Sequence, residues 1–229
     1  MKVIGHRGAA GLALENTLAS FELAKLIGVD AIELDIRLTL DQQLVVVHDG
    51  DLKRISGNNL AIKSHNYKQI SSITLRDGQS RIPTLESVMQ ITDNVPLIIE
   101  IKAENCVQPL VELLKKHSSR EIVIVSFKHN ELSKLRQLLP DYEIYVNEQT
   151  KPIEIIQIAR RMKLNGIGLN YWLLNPLTYW AAKRNNIDIF VYTINNRLIG
   201  RMINFLYPDV AICTDHPEYF IKNSYPLEE

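Results

Sequence analysis

The sequence predicts an α/β protein: a single (β/α)8 barrel, a TIM barrel, that covers residues 1–229. Two patterns predict this fold. Short runs rich in Val and Ile recur along the chain, and longer segments between them space their apolar residues three and four positions apart. The first pattern is typical of buried strands and the second of the crossover helices that parallel strands require. The chain is also close to the roughly 250 residues of a typical barrel.

Eight candidate strands occur in chain order. They are Lys2–Gly5, Ala31–Ile36, Pro96–Lys102, Ile122–Phe127, Glu143–Asn147, Gly166–Asn170, Ile187–Thr193 and Val210–Thr214. The segments with helical spacing are Thr17–Leu26, Leu85–Ile91, Val107–His117, Glu131–Leu139, Ile153–Met162, Leu177–Arg184 and Arg197–Phe205. Eight strands favour a closed barrel over an open doubly wound sheet, but periodicity alone leaves closure open.

One connection is much longer than the others. About fifty residues, including a strand-like run at Leu44–Val47, separate the second strand from the helix that begins near Thr84. A connection of this length is seldom plain loop. We therefore expect a small insertion subdomain at residues 50–82, on the side of the barrel where active sites are built.

Charge and composition restrict the partners. Lys and Arg number 26 and Asp and Glu also number 26, so no overall field attracts nucleic acid or an anionic membrane. No run approaches the roughly 18 apolar residues of a membrane span, and no signal peptide is evident. Cys106 and Cys213 are interpreted as buried thiols. We expect a cytoplasmic protein with no nucleic-acid partner and no stable membrane insertion, either a monomer or a homodimer.

Acidic residues share one face of two neighbouring strands. In Ala31–Ile36, Glu33 and Asp35 alternate with apolar residues, so both carboxylates point into the barrel if the apolar face meets the helices. In the next strand, Glu100 and Lys102 share a face in the same way. Burying like charges without a partner is very costly. The three carboxylates are therefore expected to converge on a compensating group.

A divalent cation is the compensation that we favour. Oxygen ligands from Glu33, Asp35 and Glu100 suit Mg²⁺ or Ca²⁺ better than zinc. The alternative is a structural ion network in which the same acids pair with Arg7, Arg37 and Lys102.

Two histidines and two cations complete the candidate site. His6 ends the first strand between two glycines, and His48 ends the run that begins at Leu44. A pair of histidines near a metal can take a proton from a nucleophile and give one to a leaving group near neutral pH. Arg7 and Lys102 add the positive charge that a phosphate oxyanion requires. Together these groups predict a phosphodiesterase site.

The motifs closely resemble those of the glycerophosphodiester phosphodiesterase family, and the resemblance extends over most of the chain. It is carried by His6-Arg7-Gly8, Glu15-Asn16-Thr17, Glu33-Leu34-Asp35, Val47-His48-Asp49, Pro83-Thr84-Leu85-Glu86, Glu100-Ile101-Lys102 and Thr214-Asp215.

The resemblance implies a specific chemistry. It assigns Glu33, Asp35 and Glu100 to the cation, His6 and His48 to acid and base catalysis, and Arg7 and Lys102 to phosphate. It also implies that the insertion after Asp49 is a small capping subdomain. The substrate would be a small glycerophosphodiester, cleaved to sn-glycerol 3-phosphate and an alcohol.

Aromatic residues and rival functions remain open at this point. Phe127, Trp172 and Tyr192 follow or end predicted strands, where they either form the wall that meets the glycerol or alcohol or belong to the core. One rival function is a phospholipase D-like phosphodiesterase that acts on lysophospholipids. The other is a catalytically silent barrel that binds phosphate esters.

Overall fold

Eight parallel strands close into a barrel in the computed structural model, which describes residues 1–93, 95–117 and 121–221. In these ranges the strands are β1 (Val3–Gly5), β2 (Ala31–Leu38), β3 (Leu44–Val46), β4 (Leu97–Ile101), β5 (Ile122–Ser126), β6 (Glu143–Glu148), β7 (Gly166–Asn170), β8 (Asp188–Tyr192) and β9 (Ala211–Thr214). Strand β1 pairs in parallel with both β2 and β9, and this closes the ring. Strand β3 is the extra one and pairs antiparallel with β2. The predicted barrel is confirmed.

Helices connect the strands. They are α1 (Leu18–Ile27), α2 (Lys53–Ser56), α3 (Tyr67–Ser71), α4 (Leu85–Thr92), α5 (Val107–Lys116), α6 (His129–Leu138), α7 (Glu154–Met162), α8 (Pro176–Arg184) and α9 (Arg197–Leu206). The seven longer helices correspond to the segments predicted from apolar spacing. Helices α2 and α3 were not predicted, because four and five residues are too few to display a period of 3.6.

Side-chain caps fix where several helices begin. The side chains of Thr17, Thr84, Asn175 and Asn196 each accept a hydrogen bond from a backbone N–H in the first turn of the helix that follows. Such caps satisfy donors that have no partner within the helix. These helices begin at the carboxyl ends of the strands, so their capped ends surround one mouth of the barrel.

The alternation of β2 separates two apolar layers. Ile32, Leu34 and Ile36 are fully buried in the large cluster between the barrel and its helices. A second, smaller cluster fills the barrel interior and consists of Ile4, Ile98, Val125, Tyr145, Phe190 and Cys213. Because the helix-facing side of β2 is apolar, Glu33 and Asp35 project to the interior side.

The long second connection has its own small core. Strand β3 lies against the end of β2, which extends to Leu38 rather than to the predicted Ile36 because it pairs with β3. Apolar side chains of β3 and of the residues after it form a separate cluster: Val45, Val47, Leu52, Ile55, Ile62, Ile70, Leu75 and Ile82. The connection is therefore folded rather than an open loop, and its first residues adjoin the barrel mouth.

Two further features bear on the sequence expectations. Cys106 and Cys213 are both buried and carry free thiols. Among the described residues, none of the helices has the length and apolar composition needed to cross a bilayer.

Gly8 is expected to be essential for the fold of the loop between β1 and α1. Its φ of 88° is left-handed, and an added Cβ would overlap Ser20 Oγ and lie 2.6 Å from Ser20 O. Gly57 has a similar φ of 82° but open space around it. We expect Gly57→Ala to cost about 1–2 kcal/mol of unfolding free energy from backbone strain alone. Gly8→Ala should cost clearly more, measured by urea unfolding. Equal costs for the two variants would contradict this account.

Candidate active site

Three buried carboxylates meet at the barrel mouth. Asp35 of β2 is in register with Glu100 of β4, and Glu33 lies two residues before Asp35 on the same face. One oxygen of each of these three residues lies within 4.8 Å of the others. All three side chains are buried, so solvent screens their repulsion poorly.

The pKa values of the three acids reflect their burial and their mutual repulsion. Burial and the neighbouring charge of Asp35 raise the pKa of Glu33 to about 8. Burial also raises the pKa of Glu100, despite the adjacent Lys102. Burial acts the same way on Asp35, but the positive charges of Arg7 and Lys102 outweigh it and hold the pKa of Asp35 below its ordinary value. A buried, oxygen-only cluster with one acid driven to its neutral form could bind a divalent cation.

Two cations compensate part of this charge. Lys102 Nζ lies 2.8 Å from Glu100 Oε1 and 3.4 Å from Asp35 Oδ1. Arg7 Nε lies 3.1 Å from Asp35 Oδ2, although it is buried and forms no hydrogen bond with a described residue. The ion network considered from sequence thus exists for Arg7 and Lys102.

The remaining member of that network behaves differently. Arg37 Nε donates to the backbone oxygen of His48, at 2.8 Å, rather than to the acids. Within the described chain, the basic side chain that lies within 4.0 Å of the Glu33 carboxylate is His6. Glu33 also accepts a hydrogen bond from the backbone N–H of Arg7, at 3.0 Å. The basic side chains of the protein therefore neutralise Asp35 and Glu100 more fully than Glu33.

His6 stands between two acids. Its Nδ1 lies 2.6 Å from Asp215 Oδ1, and its Nε2 lies 4.0 Å from Glu33 Oε2. Burial opposes the charged ring, but the hydrogen bond with Asp215 and the charge of Glu33 outweigh it and raise the pKa of His6. Asn195 Nδ2 donates to the second oxygen of Asp215, at 2.6 Å, and so fixes that carboxylate.

His48 has an equivalent partner. Its Nδ1 lies 2.7 Å from Asp49 Oδ1, and Arg54 Nε of α2 donates to the other oxygen of Asp49, at 2.6 Å. Burial lowers the pKa of His48, and the neighbouring carboxylates do not fully offset it. Each of the two histidines is thus held through Nδ1 by a carboxylate, which leaves Nε2 for proton transfer.

The insertion is tied to the barrel mouth by Glu15. Its carboxylate accepts two hydrogen bonds from the Arg54 guanidinium, at 2.7 and 2.8 Å. The same carboxylate accepts one from Arg7 Nη1, at 2.7 Å. A bidentate Arg–carboxylate pair holds both side chains in fixed orientations. Glu15 therefore links Arg54 of the insertion to Arg7 of the mouth.

Several supporting residues were not assigned from sequence. Asn16, which the sequence offers only as part of a motif, donates through Nδ2 to Asp35 Oδ2, at 2.9 Å, while its neighbour Thr17 caps α1. Asp49 and Asp215 were quoted as parts of motifs without a function. The adjacency of acid to histidine was a usable signal for Asp49, whereas Asp215 lies 209 residues from His6 and gave none.

Two of the three aromatic candidates lie beside the cluster. The Phe127 ring faces Lys102 Nζ, 5.8 Å from its centroid, and meets Tyr192 edge-on, at 6.4 Å. Trp172 is 75% exposed, and its ring lies against Tyr171. Phe127 and Tyr192 therefore lie near the acidic cluster, whereas Trp172 belongs to the outer surface.

Comparison with known proteins places the chain in a family. The model of the glycerophosphoryl diester phosphodiesterase family matches residues 6–219. The chain belongs to this family. A glycerophosphodiester phosphodiesterase of Caldanaerobacter subterraneus is 29% identical over 235 residues, which cover 96% of each chain. A human lysophospholipase D is 35% identical over 137 residues, which cover 54% of this chain and 44% of the human protein.

A solved structure shows the same fold. The phosphodiesterase of Oleispira antarctica, in complex with the product sn-glycerol-3-phosphate, matches with a TM-score of 0.90. The match covers 95% of this chain and 94% of that chain, at 24% identity. The resemblance to glycerophosphodiester phosphodiesterases that the motifs suggested is confirmed at the level of the family and of its barrel.

Glu33 predicts how the stability of this family member depends on pH without metal. Its folded pKa of about 8 exceeds the ordinary 4.5, so the native state binds more protons than the unfolded state between these values. The free energy of unfolding contributed by Glu33 therefore falls as the pH rises through this window. In thermal unfolding with a chelator present, the melting temperature of Glu33→Gln should fall less steeply than that of the wild-type protein as the pH rises from 5 to about 8.

The exposed Glu22 of α1 offers a matched control. Glu22→Gln should retain the pH dependence of the wild-type protein. Parallel curves for wild type and Glu33→Gln would contradict the account of Glu33.

Proposed function

We propose that this chain is a metal-dependent glycerophosphodiester phosphodiesterase, which hydrolyses a small glycerophosphodiester to sn-glycerol 3-phosphate and an alcohol. The observation that carries the proposal is the meeting of a buried acidic cluster, two histidine–aspartate pairs and two cations at one mouth of the barrel. Family membership and the full-length Caldanaerobacter relative support the same substrate class.

Glu33, Asp35 and Glu100 would hold the cation, Mg²⁺ or Ca²⁺. Their donor set is carboxylate oxygen only, and their mutual repulsion is the charge that a hard divalent ion relieves. When bound, the cation supplies charge neutralisation at the phosphodiester and lowers the pKa of a hydroxyl, either of water or of the glycerol 2-position. Asn16 orients Asp35 for this task.

Arg7 and Lys102 would bind the non-bridging phosphate oxygens. Both side chains are mostly buried and already lie against the acidic cluster, so they are oriented before substrate arrives. Arg7 Nε lies 3.1 Å from Asp35 Oδ2 and Arg7 Nη1 donates to Glu15, so two acids orient the guanidinium. Interactions that strengthen as charge develops on these oxygens stabilise the transition state.

His6 and His48 would act as the acid and base pair. One removes the proton from the attacking hydroxyl, and the other donates a proton to the departing alkoxide. Asp215 and Asp49 hold the two rings through Nδ1, so that Nε2 of each exchanges the proton. Phe127 and Tyr192 would form the wall that meets the alcohol.

The insertion at residues 50–82 would act as the capping subdomain. Its Arg54 holds Asp49 and Glu15, so the insertion steadies His48 and Arg7 from the side of the mouth. We keep the cytoplasm as the proposed location, because both cysteines are free thiols.

A second candidate activity acts on the same bond type. The human lysophospholipase D matches over 54% of this chain, and a lysophospholipid carries a comparable glycerophosphodiester headgroup. The full-length relative favours the small, deacylated substrate, so lysophospholipids are the alternative to be excluded.

Activity should depend on a divalent cation. We expect purified protein to release sn-glycerol 3-phosphate from glycerophosphoethanolamine, to lose this activity with chelator and to regain it with Mg²⁺ or Ca²⁺, because the three acids need the cation to bind the anionic substrate. Lysophosphatidylethanolamine is tested in parallel. Turnover of that lipid alone would favour the second activity, and no turnover of either substrate would favour a silent barrel.

Loss of either site histidine should greatly reduce turnover and should have little effect on metal binding. We expect His6→Ala and His48→Ala each to lower kcat about 10²–10⁴-fold, the usual contribution of general acid–base catalysis. Mg²⁺ binding, measured by calorimetry, should persist. His117→Ala is the matched control, since His117 follows α5 at the opposite end of the barrel. Unchanged kcat in either site variant would remove that histidine from the mechanism.

A further inference from the structure

Large apolar side chains are concentrated on the outside of α8 and α9. The members of this α8–α9 face are Trp172 (75% exposed), Leu177 (65%), Trp180 (60%), Leu198 (74%), Met202 (55%) and Phe205 (85%). Isolated exposed apolar residues are ordinary on protein surfaces, but contiguous ones usually mark a surface that interacts with something. This face plays no part in the proposed site.

Helical geometry places five of these side chains on the outward sides of the two helices, and Trp172 lies in the turn that precedes α8. Leu177 and Trp180 are three positions apart on α8, while Leu198, Met202 and Phe205 are four and three apart on α9. The opposite sides of the two helices face the core.

Aromatic contacts join α8 to the end of α9. The buried Tyr179 ring lies 5.3 Å from Trp180 and 5.0 Å from Tyr207, the residue that follows α9. Lys183 of α8 also pairs with Asp209, beyond α9, so the two apolar stripes belong to consecutive helices on the same side of the barrel.

The charge of this region is unlike that of the whole chain. Between residues 171 and 206 the basic side chains are Lys183, Arg184, Arg197 and Arg201, and the acidic one is Asp188, whereas the whole chain is neutral. Lys183 pairs with Asp209, at 2.8 Å, and Arg197 lies over the Tyr219 ring. Arg184 and Arg201 are exposed and form no ion pair with a described residue. The face is therefore both apolar and positively charged.

Self-association fits this face poorly. A two-fold interface would set the same surface against itself, so its arginines would approach their own copies without acids to receive them. Protruding aromatic and aliphatic side chains with interspersed arginines suit a fluid, negatively charged surface instead.

We propose that the α8–α9 face docks reversibly on anionic lipid surfaces. Tryptophan and phenylalanine enter the boundary between headgroups and acyl chains, while arginines interact with the anionic headgroups. Trp172 follows β7 and Leu198 lies in the first turn of α9, so both lie at the mouth end of the barrel. Docking along this face sets the mouth beside the bilayer without any helix crossing it. The inference is independent of the reaction that the site performs.

The chain contains its own reporters for this test. Its two tryptophans, Trp172 and Trp180, both belong to the face and are both exposed. On titration with phosphatidylglycerol vesicles we expect tryptophan emission to shift to shorter wavelength and the protein to float with the vesicles. Phosphatidylcholine vesicles should bind at least about tenfold less protein, and added salt should weaken binding.

Surface variants separate apolar from electrostatic contributions. Met202→Ser with Phe205→Ser, and separately Arg184→Glu with Arg201→Glu, should each reduce binding about tenfold or more while leaving both tryptophans in place. Leu26→Ser is the matched control, because Leu26 is 54% exposed on α1. None of these residues lies in the proposed site, so turnover of a soluble substrate should be unchanged in every variant.

Several results would overturn the proposal. One is that phosphatidylglycerol vesicles neither shift the tryptophan emission nor carry the protein on flotation. Another is that the wild-type protein and both face variants bind these vesicles equally. Sedimentation of the protein alone provides a further check. Concentration-dependent association that the face variants abolish, without vesicle binding, would identify the face as an interface between copies of the chain.

Discussion

The mouth of this barrel is organised by the repulsion among three buried carboxylates. Alternation along β2 and the register with β4 place Glu33, Asp35 and Glu100 too close together for all three to stay charged without help. Arg7 and Lys102 stabilise Asp35 and Glu100, and Glu33 is left to take up a proton. The basic side chains of the site neutralise its carboxylates only in part. Such a site is suited to bind a metal cation and then an anion, since each bound ion reduces the electrostatic repulsion that the other would meet alone.

The histidines are also positioned by interactions with acidic side chains. His6 and His48 come from different connections, yet each is oriented by an aspartate that is itself held by a second side chain, Asn195 in one case and Arg54 in the other. Ordered partners of this kind keep a ring in the orientation that proton transfer needs. The geometry of the proposed catalytic pair therefore depends on residues that would touch no reacting atom.

Periodicity predicted the barrel, and alternation in β2 predicted the inward-facing acids, because both are local consequences of strand and helix geometry. The metal candidates and cations could be proposed from their positions at strand ends. The short helices of the insertion, the interaction of Asn16 with Asp35 and the pairing of His6 with Asp215 could not. Asn16 has a φ of 56°, and Asp215 reaches His6 through closure of the ring between β1 and β9, so both contacts exist only in the folded chain.

Glu15 limits which insertions this barrel can accept, although the insertion lies at the surface. The carboxylate is shared between Arg54 of the insertion and Arg7 of the barrel. Exchange of the whole insertion between relatives is one route to diversify this segment, because it has its own core. It would also leave Glu15 without one partner and Asp49 without its donor. Diversification by segment exchange is therefore limited to insertions that bring an equivalent arginine, a constraint that does not apply to the exposed positions elsewhere in the segment.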